Sequence, residues 1–222
     1  MKPPIHKMKV TEIRYLASHL CEHGHTYLEH FGCYEPKETK LGFLDIEASN
    51  LDADFGIMLS YCIKEHGKDG KTYYNVLNPA DIKKAKAGDE DKHLVQQCVA
   101  DMLKFDQIVG YYSTRFDIPY IRTRALMCGV KFPFYGSIKH IDLYYMLRHR
   151  FKLSSNRLEN ACRCIIGKTE KTRIENRFWR GGVRGDKHSL AYILDHNIKD
   201  VTDLEKLYDK VIDYSRRIDR SI

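Results

Sequence analysis

LGFLDIEAS, residues 41–49, is the stretch of sequence that decides the fold. Apolar residues open it, and Asp45 and Glu47 follow two positions apart. Because successive side chains of a β-strand point to opposite faces, the two carboxylates share one face of the predicted strand. Two anions on an apolar, central strand are costly unless cations neutralise them. Solvated acids at an exposed strand end are the alternative interpretation.

The residues after this strand predict a mixed sheet. Runs 56–65 and 71–77 have strand patterns, separated by the turn sequence HGKDG. Apolar positions at helical spacing predict a helix over 91–104, and QIVGYY, residues 107–112, predicts a short buried strand. Helical patterns follow at 118–130, 153–167 and 186–218, the last broken near His196, and residues 140–151 predict a short strand or turn that runs into a helix. We therefore predict an α/β fold with a mixed sheet flanked by helices.

The N-terminal residues form a separate predicted region. Residues 10–20 have apolar positions at helical spacing, and a polar break with a proline follows at 35–40. We expect a small helical N-terminal appendage at 1–38 and a larger domain at 39–222.

Composition limits the class of protein. A chain of 222 residues with 43% hydrophobic residues can bury one substantial core, and its net charge of +7 suits a polyanionic partner. Seven cysteines, an odd number without dense spacing, favour a reducing compartment over a secreted disulfide framework. We find no signal-peptide pattern and no membrane-spanning apolar run. We expect an intracellular protein, cytoplasmic or nucleoid-associated, with no membrane partner.

Three further candidate side chains lie far from residue 47 in the sequence. Asp117, in STRFDIPY, stands where a strand meets a helix, so backbone amides can stabilise its charge, as they do for an ordinary helix cap. His196 and Asp200 are four apart and share a helix face, as a surface pair also would. Together the four acids suit divalent metal ions, which need clustered oxygen ligands.

These motifs resemble those of the DEDD 3′–5′ exonucleases of the ribonuclease H-like superfamily, over residues 41–215. Asp45 and Glu47 match the D-x-E strand of the first motif, and Phe116 and Asp117 match the aromatic-Asp pair of the second. The tail NIKDVTDLEKLYDK is similar to the tyrosine branch, as in family B polymerase proofreading domains and stand-alone relatives.

Two positions depart from the family pattern. Tyr112 or Ser113 stands where the second motif has an asparagine. In the third motif, His196 precedes Asp200 with the spacing of the tyrosine branch and the residue of the histidine branch. The resemblance therefore implies that His196 takes the role of the tyrosine.

The resemblance implies a ribonuclease H-like sheet and 3′–5′ exonuclease activity at the 3′ end of single-stranded DNA or RNA. It implies two Mg²⁺ or Mn²⁺ ions, one activating water and the other stabilising the leaving 3′ oxygen. Glu47 would help to position that water, and His196 would orient or deprotonate it. The implied catalytic residues are Asp45, Glu47, Asp117, His196 and Asp200, of which the four acids would bind metal.

Residues near the first two motifs are candidates for strand binding. Ser49 and Leu51 fall where the family has a hydroxyl residue and a leucine beside the terminal nucleotide. Leu51 and Phe116 would wedge or stack the terminal bases. Asp142 is a weaker carboxylate candidate, with capping of the following helix as the alternative.

The basic segment 163–187 is a second strand-binding candidate. It carries the single tryptophan of the chain, Trp179, between Arg177 and Arg180. Basic side chains interleaved with aromatic ones suit a loop that grips a single strand. The alternative is a solvated connection with Trp179 packed against the core.

An N-terminal box combines thiols and imidazoles: Cys21, His23, His25, His30 and Cys33. Zinc takes four nitrogen or sulfur ligands, so both cysteines and two of the histidines can close a tetrahedral site that stabilises the appendage. Unliganded histidines in a polar loop are the alternative.

Two other function classes remain open beside the exonuclease. One is a nucleic-acid-binding module that keeps the fold with weakened catalysis, suggested by the absent asparagine and the hybrid third motif. The other is an interaction protein whose functional centre is the zinc box. The presence of all four acids favours the nuclease, because a degenerate site has no physical reason to keep carboxylates that repel one another.

Overall fold

The computed structural model describes residues 8, 10–34, 39–86, 88–170, 174–215 and 220–221. The chain forms two compact units, 1–39 and 40–222. The smaller unit contains helix α1, Val10–Ser18, an antiparallel bridge between Leu20 and Thr26, and a short 3₁₀ helix, Phe31–Cys33.

The larger unit is built on one mixed sheet. Its strands are β1 Leu41–Ala48, β2 Met58–Glu65, β3 Thr72–Val76, β4 Gln107–Gly110, β5 Lys139–Asp142 and β6 Arg220–Ser221. Across the sheet their order is β3-β2-β1-β4-β5-β6. β1 pairs antiparallel with β2 and parallel with β4, so it has a hydrogen-bonded neighbour on each side. The predicted acidic strand is therefore internal, and the predicted mixed α/β fold is confirmed.

In the part of the chain that the structure describes, the larger unit has seven α-helices and a short 3₁₀ helix, Ile212–Tyr214. The α-helices are α2 Pro79–Lys84, α3 Lys92–Met102, α4 Asp117–Met127, α5 Leu143–Arg150, α6 Leu158–Ile165, α7 Asn176–Val183 and α8 Lys187–Val211. None of the described helices combines the length and the apolar character that crossing a membrane requires.

The alternation of β1 divides the core into two clusters. Leu44 and Ile46 belong to one cluster, in which they join buried residues of α3 and α4 such as Val95 and Ile121. Phe43, on the opposite face, belongs to the other cluster with α5, α6 and the C-terminal half of α8. Asp45 and Glu47 share the face of Phe43, so the strand period directs both carboxylates toward the side on which α8 packs.

Three sequence predictions of element boundaries were wrong. The last helix is unbroken at His196 and runs for 25 residues, because the positions around His196 belong to a continuous buried stripe. The basic segment contains a helix, α7, where we predicted a loop. The strand predicted at 107–112 ends at Gly110, since Tyr112 takes a positive φ of 62° that a strand does not accommodate.

A buried ion pair fixes the start of α3 and the start of β2 against α4. Arg124 donates to Asp91 from Nε at 2.9 Å and from a terminal nitrogen at 2.5 Å. Oδ2 of Asp91, the oxygen that accepts from Nε, also accepts from the backbone N–H of Met58 at 2.7 Å. The two charged side chains are 2% and 0% exposed, so each depends on the other for its charge compensation.

Candidate active site

The two acids of β1 lie near the end of the strand, where its pairing becomes irregular. Glu47 is opposite Ser60 of β2, but the next residue, Ala48, is opposite Met58, so β2 has one additional residue at this point. Such bulges bend a strand and re-aim its side chains, and they are frequent beside active sites. Asp45 and Glu47 are both partly exposed, so solvent reaches them.

Asp117 is the first residue of α4 and is held against β1. Its Oδ1 accepts a hydrogen bond from the backbone N–H of Ile46 at 3.0 Å, and the residue is only 3% exposed. Ile46 stands between Asp45 and Glu47, so this bond ties the Asp117 carboxylate to the backbone between the two acids. The helix-cap interpretation of Asp117 is insufficient, because its carboxylate bonds a strand 71 residues away.

α8 brings the third group to the same place. Nδ1 of His196 lies 3.3 Å from Oε1 of Glu47 and 3.9 Å from Oδ1 of Asp200. Glu47, His196 and Asp200 each offer one ligand atom, and these atoms all lie within 4.8 Å of one another. His196 and Asp200 are 4% and 3% exposed, so they form a buried wall of the site and not a surface pair.

Burial dominates the electrostatics of Asp117. The pKa of Asp117 is raised from 3.8 to about 7, mainly by desolvation and also by the negative charges of Glu47 and Asp142, against the lowering effect of the hydrogen bond from Ile46. A nearby cation would reverse this balance, since it stabilises the charged carboxylate. The donor set therefore fits a divalent metal ion: clustered, partly buried carboxylates are the oxygen ligands that such ions take.

The residues predicted to touch the nucleic acid lie in different environments. Oγ of Ser49 accepts from the backbone N–H of Ile57 at 2.9 Å, so this hydroxyl closes the loop between β1 and β2. On that loop Leu51 is 80% exposed, and Phe55, which the sequence did not single out, is 82% exposed. Phe116 is partly buried and packs against the core.

The candidate side chains of the predicted basic segment differ in their exposure to solvent. Trp179 is partly buried and packs against the core, as the alternative interpretation expected. Arg177 and Arg180 are exposed on α7, and Arg177 forms an ion pair with Glu175 at 3.1 Å. Lys171 and Arg173 lie outside the described residues.

Sequence reasoning missed Asn197. It is fully buried, and its Nδ2 donates to Oδ2 of Asp45 at 2.5 Å. Ser60 donates from Oγ to Oδ1 of the same amide at 3.3 Å. A signal was present, because residues 193, 197, 201 and 204 form a helical stripe that is apolar except at Asn197.

Asp142 caps α5 and also accepts hydrogen bonds from the loop that follows β4. One oxygen accepts from the backbone N–H of Tyr144, which is the cap, and also from that of Tyr112 at 2.9 Å. The other accepts from the N–H of Thr114 at 2.9 Å. Asp142 therefore shapes the loop that leads from β4 to Asp117.

The N-terminal unit brings together four of the five residues of the predicted zinc box. Cys21, His23, His30 and Cys33 offer ligand atoms within 4.8 Å of one another, whereas His25 is not part of this cluster.

Comparisons with known proteins agree with this fold. A family model described as the RNase_H superfamily matches residues 42–212. Among solved structures, the chain is similar to the family B DNA polymerase from the hyperthermophilic archaeon Pyrobaculum calidifontis, with a TM-score of 0.62 and 20% identity, a likeness of fold alone. The match covers 81% of this chain and 25% of the polymerase, so the chain spans about a quarter of that length. No curated protein sequence matches the chain.

Proposed function

We propose that this chain, which belongs to the RNase_H superfamily, is a metal-dependent 3′–5′ exonuclease of single-stranded nucleic acid. Membership of the superfamily supports a nuclease. One observation carries the proposal further: Glu47, His196 and Asp200 meet within 4.8 Å, beside the strand to which Asp117 is hydrogen bonded. Acids of β1 and α8 thus lie close together, and Asp117 of α4 is hydrogen bonded to the same strand.

The proposed cofactors are two Mg²⁺ or Mn²⁺ ions. The proposed ligands are the carboxylates of Asp45, Glu47, Asp117 and Asp200, which suit these hard cations. Such ions, when bound, activate a water and stabilise the leaving 3′ oxygen of an in-line displacement.

His196 has the position of a group that handles the proton of the attacking water. Its Nδ1 lies 3.3 Å from Glu47, so that carboxylate can orient the ring and stabilise its charged form. His196 is 4% exposed, so its imidazole is largely shielded from bulk water. We assign His196 as the residue that orients or deprotonates the attacking water. Glu47 would position both the water and the imidazole ring.

The proposed substrate contacts lie on the loop that follows β1. Leu51 and Phe55 are exposed apolar side chains within eight residues of Glu47. Exposed apolar and aromatic groups beside a catalytic centre suit unstacked bases, which they contact without regard to sequence. The net charge of +7 favours a polyanion, and the exposed Arg177 and Arg180 are proposed phosphate contacts.

The test is a cleavage assay on single strands of DNA and of RNA, each labelled at the 5′ or the 3′ end. With Mg²⁺ or Mn²⁺, 5′-labelled strands should shorten progressively, and 3′-labelled strands should release labelled mononucleotide from the start. Chelation by EDTA should stop both reactions. Internal fragments without mononucleotide release contradict the exonuclease assignment.

A matched pair of variants links the activity to the site. Asp45→Asn removes one anionic ligand and should abolish cleavage while the circular dichroism spectrum stays unchanged. Asp54→Asn, at an exposed position on the neighbouring loop, changes the net charge equally and should leave cleavage intact. Strand binding without cleavage by the wild type under all metal conditions would establish the binding-module alternative instead.

A further inference from the structure

The second cluster of chemically active side chains lies in the N-terminal unit and takes no part in the proposed hydrolysis. Cys21, His23, His30 and Cys33 converge so that their ligand atoms lie within 4.8 Å of one another. Neither cysteine forms a disulfide. We propose that these four side chains bind one Zn²⁺ ion in a closed, structural site.

The distances between the ligand atoms agree with tetrahedral zinc. With Zn–S near about 2.3 Å and Zn–N near about 2.05 Å, tetrahedral angles separate sulfur from nitrogen by about 3.6 Å. Sγ of Cys21 lies 3.9 Å from Nδ1 of His23 and 3.6 Å from Nδ1 of His30. Sγ of Cys33 lies 3.3 Å and 3.6 Å from the same two nitrogens. All four separations fall around the tetrahedral value.

Hydrogen bonding alone accounts for only part of this arrangement. Nδ1 of an imidazole has either one lone pair or one N–H, so it forms one well-directed hydrogen bond. Nδ1 of each ring nevertheless lies within 3.9 Å of both sulfurs, and Nε2 of His30 also lies 3.9 Å from Sγ of Cys33. A single cation between the four atoms explains all the contacts at once.

Local backbone structure holds the ligands in two pairs. The first pair, Cys21 and His23, lies on a turn in which Gly24 has a φ of +79° and donates its N–H to the carbonyl of Cys21 at 2.9 Å. A positive φ favours glycine, so the turn is encoded in the sequence. The carbonyl of His25 accepts from the N–H of Cys21 at 2.8 Å, which closes the turn.

The second ligand pair follows a helical turn with its own cap. Thr26 and Glu29 exchange side-chain to backbone hydrogen bonds, with the N–H of Thr26 donating to Glu29 at 2.9 Å and the N–H of Glu29 donating to Thr26 at 3.2 Å. His30 and Cys33 come next, and the N–H of Cys33 donates to the carbonyl of His30 at 3.0 Å. Each pair is thus presented by a short element with its own hydrogen bonds.

The size of the unit explains the need for a metal. It spans residues 1–39, and its described residues include three buried apolar side chains, Met8, Leu16 and Cys21. Units below about 40 residues rarely bury enough apolar surface to fold without a disulfide or a metal. Zinc binding supplies folding free energy directly, because the unfolded chain has no preformed site.

The experiment measures zinc in the full chain, purified without an affinity tag under reducing conditions and reconstituted with ZnSO₄. We expect about one zinc per chain that survives dialysis against Mg²⁺. Replacement by Co²⁺ should give the visible d–d bands of a tetrahedral ion and a thiolate charge-transfer band. Cys33→Ser and His30→Ala should lose the Co²⁺ spectrum and fall below about half an equivalent of zinc.

Matched controls separate this site from its neighbours. His25 lies edge-on to His30 with ring centroids 5.8 Å apart, and Cys164 is an exposed thiol of the larger unit. His25→Ala and Cys164→Ser should therefore keep the zinc. Asp200→Ala should also keep it, which excludes zinc held by the carboxylate cluster of the larger unit.

Stability gives an independent measurement. Chelator should lower the thermal midpoint of the wild type and leave that of Cys33→Ser unchanged. The proposal is overturned by a wild type that retains under half an equivalent of zinc after reconstitution, by an octahedral Co²⁺ spectrum, or by a disulfide between Cys21 and Cys33 under the reducing conditions. Loss of nuclease activity alone would not bear on it, since none of these measurements uses activity.

Discussion

Asn197 donates a hydrogen bond from Nδ2 to Oδ2 of Asp45 across 2.5 Å, joining α8 to β1 inside the candidate active site. The amide is fully buried, and Ser60 donates to its oxygen, which fixes which side of the amide faces the carboxylate. One oxygen of Asp45 is therefore oriented before any cation or substrate arrives. Supporting hydrogen bonds of this kind commonly tune metal affinity as much as the ligands themselves.

Asn197→Ala should weaken metal binding more than it weakens the fold. Loss of the amide frees the Asp45 carboxylate to rotate, so we expect a 10- to 100-fold higher metal requirement, about the effect of removing an outer hydrogen bond to a ligand. Titration of cleavage rate against Mg²⁺ concentration measures it. Asn75→Ala, on β3, removes an exposed amide and should leave the titration unchanged. An Asn197→Ala curve that overlies the wild type contradicts the positioning role.

His196→Ala should lower the rate of the chemical step. Removing a proton-handling side chain typically costs about 10²- to 10⁴-fold, so kcat should fall by that order while substrate KM changes little. Single-turnover cleavage at saturating Mn²⁺ isolates this step. His188→Ala removes an exposed histidine of the same helix and should retain full activity. Equal rates for the two variants would refute the assignment of His196.

Asp117→Asn should change how stability depends on pH in the absence of metal. The folded pKa of Asp117 is about 7, above the ordinary value of 3.8, so the folded state binds more protons than the unfolded state between these pH values. Its contribution to the free energy of unfolding is complete below about pH 4 and is lost as pH rises toward about 7, with a slope approaching about 1.4 kcal/mol per pH unit.

The measurement is urea unfolding in EDTA at several pH values. Asn keeps the oxygen that accepts from Ile46 and cannot titrate, so the difference between the two proteins isolates this carboxyl. Saturating Mg²⁺ should reduce the wild-type slope, because a bound cation favours the charged carboxylate. Parallel pH profiles for wild type and Asp117→Asn in EDTA would show that the Asp117 pKa is ordinary.

Arg124→Ala should be strongly destabilising. The change leaves the carboxylate of Asp91 buried without its partner, which typically costs about 3–5 kcal/mol. Urea unfolding at neutral pH gives the free energy. Lys199→Ala breaks the ion pair of Lys199 with Asp195 on the surface of α8 and should cost under about 1 kcal/mol. Similar costs for both variants would mean that burial does not distinguish these two pairs.

Local sequence patterns were sufficient for the parts of the fold and the site that lie within one element. Strand alternation placed Asp45 and Glu47 on one face of β1, and helical spacing placed His196 and Asp200 on one face of α8. The same patterns failed where contacts decide the outcome. The sequence pattern predicted a helix break near His196, yet α8 continues because His196 and Asn197 are buried and face partners inside the protein.

The sequence by itself therefore determined the alternation of the acidic strand, the mixed α/β class and the resemblance from which the candidate ligands were chosen. Only the tertiary structure decided that Asn197 holds Asp45, that Asp117 binds the backbone of β1, and that His25 stays outside the cluster of thiols and imidazoles. The physical reason is the separation in sequence between the residues that are in contact. Periodicity reports which face a residue occupies, whereas contacts across 71 and 152 residues depend on how separate elements pack.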